Sequence, residues 1–268
     1  MIVSRAGVLR CELAAVASCL VFVLPVHAQQ PPPSVGDTAD RPGFADSPVL
    51  LGRGHIQIES GFAWEHEGRG VDVTKTVTVP QLELHAGLAR RLEVSFAWDG
   101  LVSSVSNPEG RSTSGADVRV GAKFGLVNRP GVDAALIGYA ILPVGSGSVS
   151  SGYADPLARF AWGMSISDRV GLSGTADLGA AREDDGGVRP KAAASTSLGT
   201  TVVRNLNSFV GLVAESRAVG SRPDVWSVEA GFLLPLGVRA QVDVWVSRRV
   251  AGGPDDWSVG AGIVRRLR

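Results

Sequence analysis

The chain has 268 residues, and its 26 Lys plus Arg are balanced by 26 Asp plus Glu. A neutral chain lacks the basic excess that binding to a phosphate backbone needs, so nucleic acid is excluded as the default partner. Charged residues make up 19% of the chain, against about 25% in an ordinary soluble domain. Gly reaches 34, and both Cys precede residue 20, so the body of the chain has neither disulfides nor a thiolate site.

Taken in chain order, Arg5 and Arg10 form a basic start and an apolar run follows from Leu13 to Val26. Val26-His27-Ala28 then precedes polar Gln29. This pattern predicts a cleaved secretory signal over residues 1–28, and with it export. A second reading is a lipoprotein box at Val16-Ala17-Ser18-Cys19, but its apolar core would shrink to Leu13–Ser18 while the hydrophobic run continues past it. Residues 29–54 carry Pro31, Pro32, Pro33, Pro42 and Pro48, which predicts an extended periplasmic segment with neither helix nor central strand. No later run of about 18 apolar residues exists, which excludes a transmembrane helix.

From residue 55 to 268 the hydrophobic period is two, repeated twelve times. The third repeat is the clearest: Leu92, Val94, Phe96 and Trp98 share one face, and Glu93, Ser95, Ala97 and Asp99 the other. Ile56, Ile58, Phe62 and Trp64 oppose Gln57, Glu59 and Gly61, while Leu82, Leu84 and Leu88 oppose Gln81, Glu83 and His85. The same alternation runs through Val118–Leu126, Ala158–Ile166, Leu172–Leu178, Ala192–Val202, Val210–Ala214, Trp226–Phe232, Ala240–Val246 and Trp257–Ile263. Val132–Leu142 is apolar on both faces, which leaves its parity open.

Connections alternate too. Long or polar links follow the odd strands, at Glu67–Lys75, Leu101–Gly115, Gly145–Asp155, Arg182–Arg189, Arg217–Asp224 and Arg249–Asp256. Short links follow the even ones, at Ala89–Arg91, Asn128–Gly131, Ser167–Arg169, Arg204–Asn207 and Pro235–Gly237. Short turns at one end, long loops at the other and an even strand count predict an all-β fold: a twelve-stranded antiparallel transmembrane β-barrel of the outer-membrane type. A barrel in lipid must close, because an open edge would leave N–H and C=O groups unpaired. Trp64, Trp98, Trp162, Trp226 and Trp257 fall near strand ends on the apolar face, where an interfacial girdle belongs. Outer-membrane lipid is therefore an expected partner, and the location expected is the outer membrane of a Gram-negative cell.

The stretch Asp40-Arg41-Pro42-Gly43-Phe44-Ala45-Asp46-Ser47-Pro48, followed by Gly54-His55-Ile56-Gln57-Ile58-Glu59-Ser60-Gly61, resembles the opening of the family named "putative MetA-pathway of phenol degradation". Its members open with an RPDF–ESP box and a G-x-x-Q-x-E-x-G first strand. Gly87-Leu88 with Arg91-Leu92-Glu93, Leu142-Pro143-Val144-Gly145-Ser146 and the closing Asp255-Asp256-Trp257-Ser258-Val259-Gly260-Ala261-Gly262 are similar as well. The resemblance implies an outer-membrane barrel that transports small molecules, aromatic or apolar ones by the family's name. The chain departs from it at Gly43, where an acid is usual, and in ending on Arg265-Arg266-Leu267-Arg268 rather than on an aromatic residue.

No catalytic, cofactor-binding or metal-binding residue is expected, so the chain reads as a non-enzyme. His85 has Glu83 and Gly87, not a serine, as its neighbours on the same strand face, and the His residues show no ligand spacing. The informative polar set is the lumen face, with acids Glu59, Glu83, Glu93, Asp117, Asp177, Glu215, Glu229 and Asp243, bases Arg119, Lys123, Arg159, Lys191 and Arg239, and His85. Eight acids against five bases predict a polar pore with a slight preference for cations. The alternative is a salt-bridged, plugged lumen in a structural or adhesive barrel, since buried charges must be paired.

Overall fold

A strand with one apolar and one polar face can hide only one of them, and this chain hides the polar one. The computed structural model describes residues 33–267, apart from 70, 108, 183–186, 204, 217–223 and 254–255. Within them Phe62, Phe96, Leu136, Leu198 and Val244 are exposed, whereas Gln57, Glu59, His85, Glu93 and Gln241 are almost wholly buried. This inversion of a water-soluble core is what a lipid-facing wall around a polar lumen requires. The expected signal over residues 1–28, the lipoprotein box and Arg268 lie outside the described residues.

Fourteen strand segments follow in order: β1 Ile56–Arg69, β2 Asp72–Ala89, β3 Leu92–Trp98, β4 Leu101–Ser106, β5 Gly110–Gly115, β6 Val118–Arg129, β7 Val132–Leu142, β8 Asp155–Ser165, β9 Val170–Arg182, β10 Val188–Val203, β11 Leu206–Ser216, β12 Val225–Pro235, β13 Ala240–Ala251 and β14 Asp256–Arg266. All pairings are antiparallel, and β1 pairs with both β2 and β14, which closes the barrel. β3 and β4 pair with opposite ends of β2, and β6 and β5 run beside them in turn. Each of these two pairs is one bent stave, so the barrel has the expected twelve. The first bend needs Gly100, whose φ is +67° and whose missing Cβ would sit 2.3 Å from the Pro80 carbonyl oxygen.

Two expected links are strand instead. Leu101–Gly115 is the β4–β5 hairpin, and Glu67–Lys75 is divided between the ends of β1 and β2. In this stretch hydroxyls replace apolar partners: Thr74 bonds Ser106 at 3.0 Å and Thr76 bonds Ser104 at 2.9 Å. A ribbon of β-branched residues and hydroxyls pairs well where both faces meet water, so it continues the wall rather than looping. The open parity of β7 resolves with Leu136 outward and Ile137 and Tyr139 buried inward.

The Pro-rich segment departs most from expectation. Its described part does not trail away as an extended periplasmic stretch. It begins with one helical turn, Val35–Thr38, capped by Ser34 and Asp37, and then runs along the barrel interior. The three prolines precede this turn, where the ring costs no helical hydrogen bond. Ser47 Oγ anchors to the Asp37 carbonyl and Val35 and Ala39 pack on Val264 of β14, so the segment enters at the short-turn end, where β1 begins and β14 ends. It is drawn inward because the lumen wall offers charged groups and the segment carries their complements.

Candidate functional site: the lumen and its N-terminal plug

At the entry Arg266 of β14 donates to the carbonyls of Pro33 at 2.7 Å and Ser34 at 3.1 Å, and to Thr38 Oγ1 at 2.6 Å. Thr38 Oγ1 in turn donates to Gln57 Oε1 at 2.8 Å, and Gln57 Nε2 returns a bond to the Thr38 carbonyl at 3.1 Å. The Asp40 amide donates to Glu59 Oε1 at 3.1 Å, while Lys123 Nζ holds the Asp40 carboxylate at 3.0 and 3.2 Å. Arg41 spans the lumen, reaching Gln81 at 3.0 Å and Asp243 at 3.4 Å. The Phe44 amide donates to Glu229 at 3.1 Å, and the Phe44 ring lies 5.1 Å beneath the Arg159 guanidinium. Asp46 pairs with Arg159 at 2.7 Å and accepts from Tyr139 Oη at 2.5 Å. The Leu51 amide closes the run on Glu93 at 2.7 Å.

Inward glycines are the imprint of this segment on the wall. A Cβ at Gly61 or Gly262 would strike the Arg41 guanidinium, one at Gly87 would strike the Gly52 backbone, and one at Gly125 would meet Leu50 at 2.9 Å. Backbone and guanidinium can approach the wall only where the side chain is absent.

Of the lumen candidates, Glu59, Glu83, His85, Glu93, Arg119 and Lys123 form one cluster around Asp40. Arg119 reaches Glu83 at 3.3 Å and lies 4.8 Å over the Tyr139 ring. Arg159 grips Asp177 with two bonds, at 2.8 and 2.5 Å, and Glu229 and Asp243 serve the segment as described. Asp117 stands apart near the far end, accepting from the Gly145 amide at 2.9 Å. Lys191 and Glu215 keep inward parity but lie exposed beyond the cluster, and Arg239 is exposed in the short turn after β12. Residues that sequence reasoning missed are Asp40, Arg41, Asp46, Tyr139, Gln81 and Arg266. The available hint was three charges, Asp40, Arg41 and Asp46, within the nine residues 40–48 beside two prolines. Asp40, Glu83 and His85 also bring one possible metal-ligand atom each to within 4.8 Å of one another, a set that no local spacing reveals because Asp40 lies on another segment.

The segment fills only part of the lumen. On its other side a cavity of about 410 Å³ lies against β7–β12, bounded by Pro42, Asp46 and Pro48 of the segment and by small wall residues such as Gly163, Ser173, Ser197 and Gly199. Most of the charge is thus gathered under the segment, while the wall on the open side is mostly glycine and hydroxyls, with Asp133, Arg169 and Glu229 its charged members.

Among solved structures the fold is similar to that of the COG4313 outer membrane channel from Pseudomonas putida F1, with a TM-score of 0.68 and 13% identity over 81% of this chain and 97% of that one. It is also similar to the NanC porin, with a TM-score of 0.53 and 8% identity over 79% of this chain and 100% of that one. The translocator domain of the autotransporter NalP from Neisseria meningitidis matches with a TM-score of 0.52 and 11% identity, covering 87% and 92% of the two chains. Identities this low speak for the fold. No curated protein matches the chain in sequence. The family model described as "Putative MetA-pathway of phenol degradation" matches residues 39–267, so it takes in the plug from Ala39 onward together with the barrel wall, and the chain belongs to that family.

Proposed function

We propose that the protein is a passive outer-membrane channel for small, uncharged or weakly polar molecules, with the short-turn end of its barrel in the periplasm. The observation that carries this reading is the asymmetric plug: the segment engages the charged arc of the lumen and leaves a cavity of about 410 Å³ against a wall rich in small residues. A passage of this kind sorts by size and polarity. The family's name supports aromatic or apolar solutes, and the structural likeness to outer membrane channels supports the location and the class of function.

The count of eight inward acids against five bases no longer argues for cation selectivity. Glu59, Glu93 and Glu229 accept from segment amides, Asp243 faces Arg41, Asp177 is held by Arg159, and Glu83 by Arg119. An acid already engaged by a donor offers little field to a passing ion. This dense bonding is also what favours the second reading, a structural barrel with a sealed lumen. Liposome swelling with the purified full chain separates the two. The channel reading expects influx of small neutral solutes, single-ring compounds included, that falls with solute size and barely changes with added salt. Absence of swelling with every solute would establish the sealed barrel instead.

A further inference from the structure

His85 projects into the lumen from β2 with 1% of its surface exposed. Its Nδ1 lies 3.0 Å from Glu93 Oε1 and donates to it, so in the neutral imidazole the lone pair is on Nε2. Nε2 has no hydrogen-bond partner. Three carboxylates nevertheless face it: Glu59 Oε1 at 3.6 Å, Glu83 Oε1 at 3.8 Å and Asp40 Oδ2 at 3.9 Å. Such separations are too long for hydrogen bonds. They are close to the spacing of donors around a shared ion, since tetrahedral bonds of about 2.0–2.1 Å hold donors about 3.3–3.4 Å apart. The second oxygen of Glu59 is buried without a partner as well.

Charge balance leads to the same place. Asp40, Glu59, Glu83 and Glu93 bring four negative charges. Lys123, 3.0 Å from Asp40 and 3.6 Å from Glu93, and Arg119, 3.3 Å from Glu83, bring two positive ones. With a neutral imidazole the cluster is left two negative charges in excess, in a setting where unbalanced charge is costly. One divalent cation closes the difference, as would two protons, one on His85 and one on Glu59.

We propose that Asp40, Glu83 and His85 form a binding site for a divalent transition-metal ion such as Zn²⁺, with water as the fourth donor. One imidazole with carboxylates suits such an ion better than the all-oxygen sets of Ca²⁺ or Mg²⁺. Glu93 orients the imidazole from behind through Nδ1. Asp40 comes from the N-terminal segment and the other two donors from β2, so the ion clips the plug to the wall. The proposal stands apart from the transport reading, because its test reads metal binding directly.

The test uses the full chain without a polyhistidine tag, folded in detergent, stripped with a chelator and titrated with Zn²⁺ by calorimetry, with the retained metal counted after desalting. One Zn²⁺ per chain is expected. His85→Gln should weaken binding about 100-fold or more, and Glu93→Gln about 10–100-fold, as loss of a carboxylate behind a ligating imidazole does. Asp40→Asn lies on the segment rather than the barrel wall and keeps the test valid should His85→Gln fail to fold. It too should weaken binding at least tenfold. Substoichiometric Zn²⁺ in the unaltered chain would overturn the proposal. So would one Zn²⁺ per chain bound with unchanged affinity in the Asp40→Asn and Glu93→Gln variants, which would place the ion elsewhere, for example at His55 or His66.

Discussion

Replacing Arg159 with Met should release the N-terminal segment from the lumen far more than replacing its partner Asp46 with Asn. Arg159 is held by Asp46 at 2.7 Å and by two bonds to Asp177, and all three side chains are at least nine-tenths buried. Arg159→Met leaves two buried carboxylates without their cation, a change that costs about 3–5 kcal/mol in a sealed interior. The cavity beside them admits water, so the lower end, about 3 kcal/mol, is the better figure, or roughly two decades in the docking equilibrium. Asp46→Asn keeps an acceptor for Tyr139 and leaves Arg159 on Asp177, so only one charge-assisted contact is lost, worth about 1.5 kcal/mol or one decade. The readout is thiol labelling of the folded protein at Ala39→Cys and Leu51→Cys, two buried positions on either side of Asp46, 8% and 2% exposed. Labelling should speed up about 100-fold with Arg159→Met and about tenfold with Asp46→Asn. Equal acceleration, or none at either position, would refute the reasoning.

Three further outcomes follow from the same geometry. Leu198→Arg should impair barrel folding by about 2–4 kcal/mol while Ser197→Arg, its neighbour facing the cavity, is tolerated, as urea unfolding in lipid vesicles would show. Gly125→Leu should displace Leu50 and raise labelling at Leu51→Cys, at an overpacking cost of about 1–3 kcal/mol, without lowering the unfolding midpoint of the barrel. Protease added to intact cells should cut within residues 145–154 and spare the hydrogen-bonded β4–β5 hairpin; cleavage confined to the turns at 90–91 or 130–131 would invert the orientation.

The wall was legible in the sequence because a period of two has only one physical meaning when it recurs twelve times, and because Phe96 and Glu93 cannot share a face. Its parity stayed open at β7, where Ile137 and Tyr139 face inward yet are apolar or aromatic. They pack with Ala161, and Tyr139 donates to Asp46. The reach of the first hairpins was hidden because Thr and Ser suit a wet strand as well as a loop. Parity separated the two faces of the strands, but it did not show that Arg239 falls in a turn or which of the acids and bases pair. Pairing depends on residues 40–51, whose prolines speak for extended backbone and say nothing of where that backbone lies. His85 read as isolated for the same reason: Asp40, which completes its surroundings, lies 45 positions away in the chain.

The central claim is that the N-terminal segment occupies the lumen, narrows it and engages its charged arc. Planar-bilayer recording of the full chain beside a chain lacking residues 29–54 tests it most directly. Removing the segment takes away Asp40, Arg41 and Asp46 with the amide donors of Asp40 and Phe44, so Glu59, Glu229 and Asp243 lose their segment partners, while Lys123 keeps Glu93 and Arg159 keeps Asp177 on the wall. The account predicts a severalfold rise in conductance, together with a shift toward cation selectivity that fades at high salt. Equal conductance and equal selectivity in the two chains, with the shortened barrel shown to be folded, would contradict it.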